Sequence, residues 1–261
     1  MTGRTTTGRR VFAADVHIHP RDPSRAERFF EWLDSERDRA EVVYLLGDLF
    51  DLWVGSRQAR HPDYRDLVDR LAERVRDGMR IEFVHGNRDF QIGRAFERRT
   101  GIRVHQDPMP ADFGEGDILL THGDLLCASD LAYQRTRRVL RSAPVRLLGE
   151  VLPLRLVFGI GGILRRYSDR AVERKSTRVL EPPRDAVVAH VEHGRRVIVC
   201  GHLHHAHRRT YEQDGQTIEL ICLGAWENGS GSYVSYEEGR FRLHVLDGER
   251  WVEIESECGA R

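Results

Sequence analysis

Residues 44–51 read Tyr-Leu-Leu-Gly-Asp-Leu-Phe-Asp, and the apolar run leading into them, Val42-Val43-Tyr44-Leu45-Leu46, stops abruptly at Gly47-Asp48. A short apolar run closed by a turn residue reads as a strand buried on both faces. Glycine lets the backbone turn sharply, so this strand delivers the Asp48 carboxylate to the lip of a sheet. Alone, a Gly-Asp pair after a strand is most often a simple turn. Here the same device recurs at four other strand ends.

On the N-terminal side, Val11-Phe12-Ala13-Ala14 runs into Asp15-Val16-His17. Side chains two apart on a strand share a face, so this period predicts that Asp15 and His17 can bind one ion together. On the C-terminal side, Ile81-Glu82-Phe83-Val84 breaks into His85-Gly86-Asn87-Arg88-Asp89. Ile118-Leu119-Leu120 ends in Thr121-His122-Gly123-Asp124, and Arg196-Val197-Ile198-Val199-Cys200 ends in Gly201-His202-Leu203-His204. A helix opening at Pro23-Ser24, one over 63–77 closed by Gly78 and a short one around 91–99 fall between these strands, with a minor strand near 102–105. Beyond residue 204 the pattern turns to strands near 207–213, 216–223, 232–237, 240–246 and 250–255. The order predicts an α/β sandwich, two sheets covered by helices.

His17 to Asp48, Asp48 to Asn87 and Asn87 to His122 span 31, 39 and 35 positions, each fitting one strand–helix–strand unit. His122 to His202 spans 80, with no strand signal inside. Residues 127–185 look helical instead and predict a helical cap inserted into a single domain covering 1–261. There Leu147, Leu148, Val151, Leu152, Leu154, Leu156, Val157, Phe158, Ile160, Ile163 and Leu164 mix with Arg146, Arg155, Arg165 and Arg166, which suits a membrane interface or an acyl-chain pocket beside a phosphate. Ordinary core helices are the alternative, against which Gly159, Gly161 and Gly162 lower helix propensity.

The 261 residues carry 41 basic and 41 acidic side chains, which argues against a nucleic-acid partner. Cys127, Cys200, Cys222 and Cys258 form no Cys-x-x-Cys pair and read as reduced thiols of a cytoplasmic protein. No apolar run is long enough to span a bilayer, and residues 1–10 lack the apolar core of a signal peptide, so a soluble, unexported chain is expected. Lys175 is the only lysine among otherwise all-arginine basic residues. Base composition accounts for the arginine excess, but not for the one lysine that survives.

The strand ends together offer Asp15, His17, Asp48, Asn87, His122, His202 and His204. Carboxylates, imidazoles and one amide oxygen suit Mn²⁺, Fe²⁺ or Zn²⁺ better than Mg²⁺ or Ca²⁺. Seven ligands are too many for one such ion. They fit two if Asp48 bridges, with Asp15, His17 and His204 on one side and Asn87, His122 and His202 on the other. Two ions about 3.5–4 Å apart activate water and clamp the attacking and leaving oxygens of phosphoryl transfer.

Asp-x-His, Gly-Asp-x-x-Asp, Gly-Asn-x-Asp, a strand-final His-Gly and Gly-His-x-His, in that order over residues 15–204, resemble the calcineurin-like metallophosphoesterases. Most members carry His after the Asn; here Arg88 stands there. That substitution, Gly47-Asp48-Leu49-Phe50-Asp51, the run His122-Gly123-Asp124-Leu125-Leu126-Cys127-Ala128-Ser129-Asp130-Leu131-Ala132-Tyr133-Gln134 and Leu223-Gly224-Ala225-Trp226 in the tail are similar to the UDP-2,3-diacylglucosamine pyrophosphatases of lipid A synthesis. The resemblance implies a metallophosphoesterase sandwich, two mixed β-sheets flanked by helices, with an inserted helical cap that holds acyl chains. It implies two Mn²⁺ and hydrolysis of UDP-2,3-diacylglucosamine to 2,3-diacylglucosamine 1-phosphate and UMP, by a monomer peripheral on the inner membrane. A phosphodiesterase acting on another nucleotide- or lipid-linked diphosphate is the alternative.

By position, the resemblance makes Asp48, Asn87, Arg88 and His122 catalytic. Asn87, Arg88, Asp130, Ser168, Lys175 and His202 would contact the substrate, which gives the lone lysine a reason. Two departures stand out: no proline follows Gly201-His202-Leu203-His204, and Val172 replaces the Asn expected between Ser168 and Lys175. A rival reading takes His17-Ile18-His19 as the His-x-His opening of an amidohydrolase-type barrel and makes His19 a ligand. Another makes the chain a non-enzymatic binding module that uses its arginine-rich cap.

Overall fold

The structure is a computed structural model that describes residues 8–114, 117–126, 138–139, 141–173, 182–189 and 195–254. The first half alternates as predicted: β1 (Arg10–Ala13), α1 (Pro23–Ser35), β2 (Val42–Leu46), α2 (Pro62–Arg76), β3 (Ile81–Val84), α3 (Arg94–Thr100) and β4 (Arg103–His105). Then come β5 (Met109–Asp112), β6 (Asp117–Thr121), α4 (Ala143–Val151), α5 (Leu154–Glu173) and α6 (Arg184–Val188). The remainder is β7 (Arg195–Cys200), β8 (His207–Gln213), β9 (Gln216–Cys222), β10 (Ser232–Glu237), β11 (Arg240–Asp247) and β12 (Arg250–Ile254).

The strands form two mixed sheets, one of order β12-β11-β10-β1-β2-β3-β4 and one of order β5-β6-β7-β9-β8. Alternate residues of β1 and β2 explain their unbroken apolar runs. Val11, Ala13, Val43 and Leu45 face a core shared with Phe29, Phe30, Leu33, Val68, Leu71 and Phe96 of α1–α3. Phe12, Tyr44 and Leu46 face the other way, onto Leu120, Val199 and Ile221 of the second sheet. On that sheet's outer side, Val187 of α6 packs with Leu119, Ile198 and Leu220. Truncating one of the leucines or isoleucines among them, such as Leu45 or Leu120, to Ala would cost about 2–5 kcal/mol, so the strand ends are held by a stiff platform.

Local signals place the helices. Asp22 caps α1, its side chain accepting from the Arg25 amide at 3.3 Å, with Pro23 in the first turn. The third helix begins at Arg94, later than the period suggested, after Gly93. The sequence reading missed β5: Met-Pro-Ala-Asp is short and carries a proline, which sits where it removes no central ladder bond because β5 is an edge. The barrel reading fails outright, because the described strands close into no barrel. His19 serves a turn instead, its Nδ1 accepting from the Arg21 amide at 3.0 Å.

Within the region expected as a cap, α5 runs through Gly159, Gly161 and Gly162 without a break. A Cβ on Gly161 would lie 2.6 Å from Leu52 Cδ2, so that glycine lets the helix settle on the loop after β2. Phe158 stacks on Tyr64 of α2 at 6.0 Å between centroids. Ser56 donates to Glu150 of α4 through both its amide and its hydroxyl. The other faces of these helices are open, leaving Leu147 63%, Val151 67% and Ile163 60% exposed. No helix among the described residues is long and apolar enough to cross a membrane.

Candidate active site

Five strands, β1, β2, β3, β6 and β7, end on one rim, and the seven residues chosen from the sequence meet there. The means differ from the strand period expected for Asp15 and His17, because β1 stops at Ala13. Asp15, His17, Asp48, His202 and His204 instead all take left-handed backbone, with φ of 53°, 51°, 53°, 71° and 58°. Such a conformation costs a non-glycine residue about 1–2 kcal/mol. Backbone bonds hold it: His17 N to Asp48 O at 2.9 Å, Gly201 N to His122 O at 2.9 Å and Trp226 N to Asp15 O at 3.1 Å.

One group consists of Asp15, His17 and His204. His17 Nε2 and His204 Nε2 are 3.1 Å apart, and Asp15 Oδ1 lies 3.8 Å and 3.7 Å from them. Asp48 turns its two oxygens to different neighbours, Oδ2 at 3.9 Å from His17 Nδ1 and Oδ1 at 3.7 Å from His122 Nε2. His122 Nε2 also lies 3.1 Å from Asn87 Oδ1, and its ring centroid is 5.1 Å from that of His202. Ligand atoms converge within 4.8 Å in two overlapping groups, Asp15-His17-His204 and Asp15-Asp48-His122, so Asp15 belongs to both.

The site suits cations. Asp15 Oδ1 and His17 Nδ1 are buried with no hydrogen-bond partner. Nitrogens held about 2.1 Å from one ion at right to tetrahedral angles lie about 3.0–3.4 Å apart, matching the His17–His204 separation. Burial opposes a charged His122, yet Asp48, Asp15, Asp124 and Asp107 together push its pKa up to about 9. That value measures an excess of negative charge. Burial, followed by the charge of His122, pushes His202 down to about 4. Burial also takes His17 well below its ordinary value, aided by Arg88 and His204. Both imidazoles are therefore neutral, as metal ligation requires.

Several supporting residues were not singled out from the sequence. Asp89 is fully buried and gathers the amides of Gly86 at 3.0 Å, Asp48 at 3.2 Å and Leu49 at 2.7 Å, tying the ends of β2 and β3 together. The motif Gly-Asn-x-Asp carried that signal. Gly86 sits so close to Asp48 that a Cβ would lie 2.2 Å from Oδ1. Asp107 accepts from the His122 amide at 2.9 Å, and Arg141 donates to Gly86 O at 2.9 Å. Nothing local in the sequence marks either. Arg88 bonds Asp48 Oδ1 through its amide at 2.9 Å, and its guanidinium lies 3.4 Å from Asp48 Oδ2 and 3.3 Å from Asp51 Oδ1. Asp130 and Lys175 lie outside the described residues. Ser168 and Val172 are on the backbone of α5, their side chains outside what is described.

Residues 8–206 match the family described as calcineurin-like phosphoesterase. The chain belongs to that family. Calcineurin-like phosphoesterases carry a divalent-metal centre, and the Asp and His groups on this rim could hold one. The chain is 34% identical over 238 residues to a UDP-2,3-diacylglucosamine hydrolase of Aeromonas salmonicida, covering 90% of this chain and 93% of that one. It is 34% identical over 218 residues to a UDP-2,3-diacylglucosamine hydrolase of Pseudomonas aeruginosa, covering 83% and 90%. A dimetal phosphatase of Danio rerio shares the fold, with a TM-score of 0.50 at 12% identity over 92% of this chain and 95% of that one.

Proposed function

We propose that this phosphoesterase hydrolyses the pyrophosphate bond of UDP-2,3-diacylglucosamine, giving 2,3-diacylglucosamine 1-phosphate and UMP. The observation that carries the reading is the relationship, over nine-tenths of the chain, to a hydrolase of that name, joined to a site in which Arg88 stands beside Asp48. Asp15, His17 and His204 would hold one divalent ion and Asn87, His122 and His202 a second, with Asp48 between them. Two Mn²⁺, or Fe²⁺ or Zn²⁺ in their place, would supply Lewis acidity toward the phosphoryl oxygens and toward water.

The protein's own groups do the rest. Asp89 and the left-handed backbone hold the ligand side chains in place before substrate arrives, so little reorganisation is needed during the reaction. The Arg88 guanidinium sits at the outer edge of the carboxylate cluster and offers a fork to phosphoryl oxygens. Water oxygen bonds to phosphorus and gives up its proton to solvent as the bridging P–O bond breaks, and the leaving phosphate departs as an anion facing the Arg88 guanidinium.

Helices α4 and α5 belong to a cap at about 127–185 on a single 1–261 domain. Their exposed Leu147, Val151 and Ile163 support an acyl-chain pocket or contact with the membrane surface. Asp130, Ser168 and Lys175 complete the substrate contacts in this reading. It places a monomer on the cytoplasmic face of the inner membrane, with no nucleic-acid partner.

The test is a substrate panel with added Mn²⁺, comparing diacylated, deacylated and simple nucleotide diphosphates for UMP release. The diacylated compound is expected to turn over fastest. Equal rates on acylated and deacylated compounds would remove the lipid pocket from the proposal. Lys175→Ala is expected to slow the lipid substrate far more than a small aryl phosphodiester.

A further inference from the structure

A cavity of about 420 Å³ opens at the other end of the sandwich, where the two sheets part. It is walled by the starts of β6 and β7, at Ile118, Arg196 and Val197, and by the turn between β10 and β11. Strands β6 and β7 run from this cavity to His122 and His202, about five residues on. At about 3.3 Å per residue the two places are roughly 15–20 Å apart. The cavity therefore shares no residue with the metal rim, and its volume lies within the range of about 300–1,000 Å³ common for small-molecule sites.

Its charge is unlike that of the whole chain. The sequence is balanced at 41 basic and 41 acidic residues, whereas this cavity gathers four arginines against two glutamates. The glutamates are engaged: Arg208 pairs with Glu219 and also bonds Phe241 O at 3.2 Å, and Arg242 Nε lies 3.9 Å from Glu253. Arg196 and Arg240 make no ion pair or side-chain hydrogen bond with any described residue. Two uncompensated guanidinium groups in one concavity repel each other, and concave low-dielectric walls focus their field on an anion. Below them Ile118, Val197 and Phe241 form an apolar floor.

We propose that this cavity binds a small soluble phosphomonoester of nucleoside-monophosphate size. Arg196 and Arg240 take the phosphate oxygens, and the organic part lies over Ile118, Val197 and Phe241. Guanidinium forks match phosphate oxygens in pairs, which a lone surface cation does not. A lipid phosphate is the less fitting source. Helices α4 and α5, which carry the exposed apolar side chains, seat on the loop after β2 at the metal-rim end through Gly149 and Gly161, so a bilayer lying on their open faces would leave this cavity facing water.

The experiment is titration calorimetry of the metal-loaded protein with adenosine monophosphate, repeated with inorganic phosphate as competitor. Beside any nucleotide held at the metal rim, one equivalent that survives Asp48→Asn should bind, phosphate should compete for it, and Arg196→Gln/Arg240→Gln should weaken it at least tenfold. The double variant should hydrolyse bis(p-nitrophenyl) phosphate at the parent rate, and Asp48→Asn should keep the equivalent that depends on Arg196 and Arg240. Cosedimentation with phosphatidic acid vesicles should be the same for the parent and the double variant. Unchanged affinity in the double variant, loss of binding in Asp48→Asn, or no saturable binding at millimolar nucleotide would each overturn the proposal. Vesicle binding lost only in the double variant would overturn it in favour of a lipid headgroup.

Discussion

His17 Nε2 and His204 Nε2 lie 3.1 Å apart although 187 residues separate them in the chain. Both are held there on left-handed backbone, with Asp15 Oδ1 within 3.8 Å of each. A strained arrangement of imidazoles around the unpartnered Asp15 Oδ1 is stabilised by whatever cation it binds. Chelation is therefore expected to abolish hydrolysis and to lower thermal stability. A ligand present at about 100 times its Kd adds about 2.7 kcal/mol. For a chain of this size that is a fall in Tm of about 5–10 °C on metal removal. Scanning calorimetry with and without chelator checks it, and coincident transitions would contradict the assignment.

Asp89 gathers the amides of Gly86, Asp48 and Leu49 on one buried carboxylate. Each buried N–H left without a partner costs about 1–3 kcal/mol. Asp89→Ala is expected to lose about 2–4 kcal/mol in urea unfolding and to weaken metal binding, since two ligand loops lose their common tether. Asp89→Asn keeps one acceptor oxygen and should lose less. An alanine variant as stable as the parent would show that these amides find other partners.

Arg88 reaches Asp48 and Asp51 through its guanidinium while its amide bonds Asp48. The amide bond survives any side-chain substitution, so the carboxylate should keep its orientation. Arg88→Ala is expected to bind the same amount of metal while kcat falls about 10²–10³-fold. Arg88→Lys should recover little, because an ammonium cannot reproduce the fork. Metal analysis beside steady-state kinetics separates the cases, and loss of metal in Arg88→Ala would make the residue structural.

Glu82 lies away from the metal rim, on β3, where Arg80 donates to it at 2.8 Å and His105 bonds its other oxygen. Burial pushes its carboxyl up, but the hydrogen bonds from His105 and Arg80 outweigh that and leave it below its ordinary value of 4.5. A depressed folded pKa means stability that is fully present above the unfolded value and lost as pH falls through the folded one. Glu82→Gln should therefore be less stable than the parent at pH 7, with the gap closing at acid pH below about 4.5. Urea midpoints across that range measure it; a gap that widens on acidification would reverse the sign.

The apolar runs at Val42–Leu46, Ile81–Val84 and Arg196–Cys200 made the strands legible, because a strand buried on two faces admits few polar residues. The ligand inventory was legible for a related reason: polar residues such as Asp48, Asn87 and His202, directly after such strands, have little structural use at that position. Proline in β5 hid an edge strand, whereas the helical reading of the stretch containing α5 stood despite its glycines, of which Gly161 meets Leu52 closely. Asp107 and Arg141 were opaque because they bond backbone groups of other loops, which no local pattern announces.

What the sequence by itself determined is the set of strands, their order and the residue types at their ends, since burial and turn formation act over a few neighbouring positions. What only the tertiary structure decided is how those residues meet. Asp15 and His17 converge through left-handed backbone beyond β1, not through the two-residue period of a strand. Asp48 faces His17 with one oxygen and His122 with the other because Asp89 and Gly86 hold two loops in contact. Such long-range bonds are enforced by the packing of whole sheets, so their geometry exists only once the chain has folded.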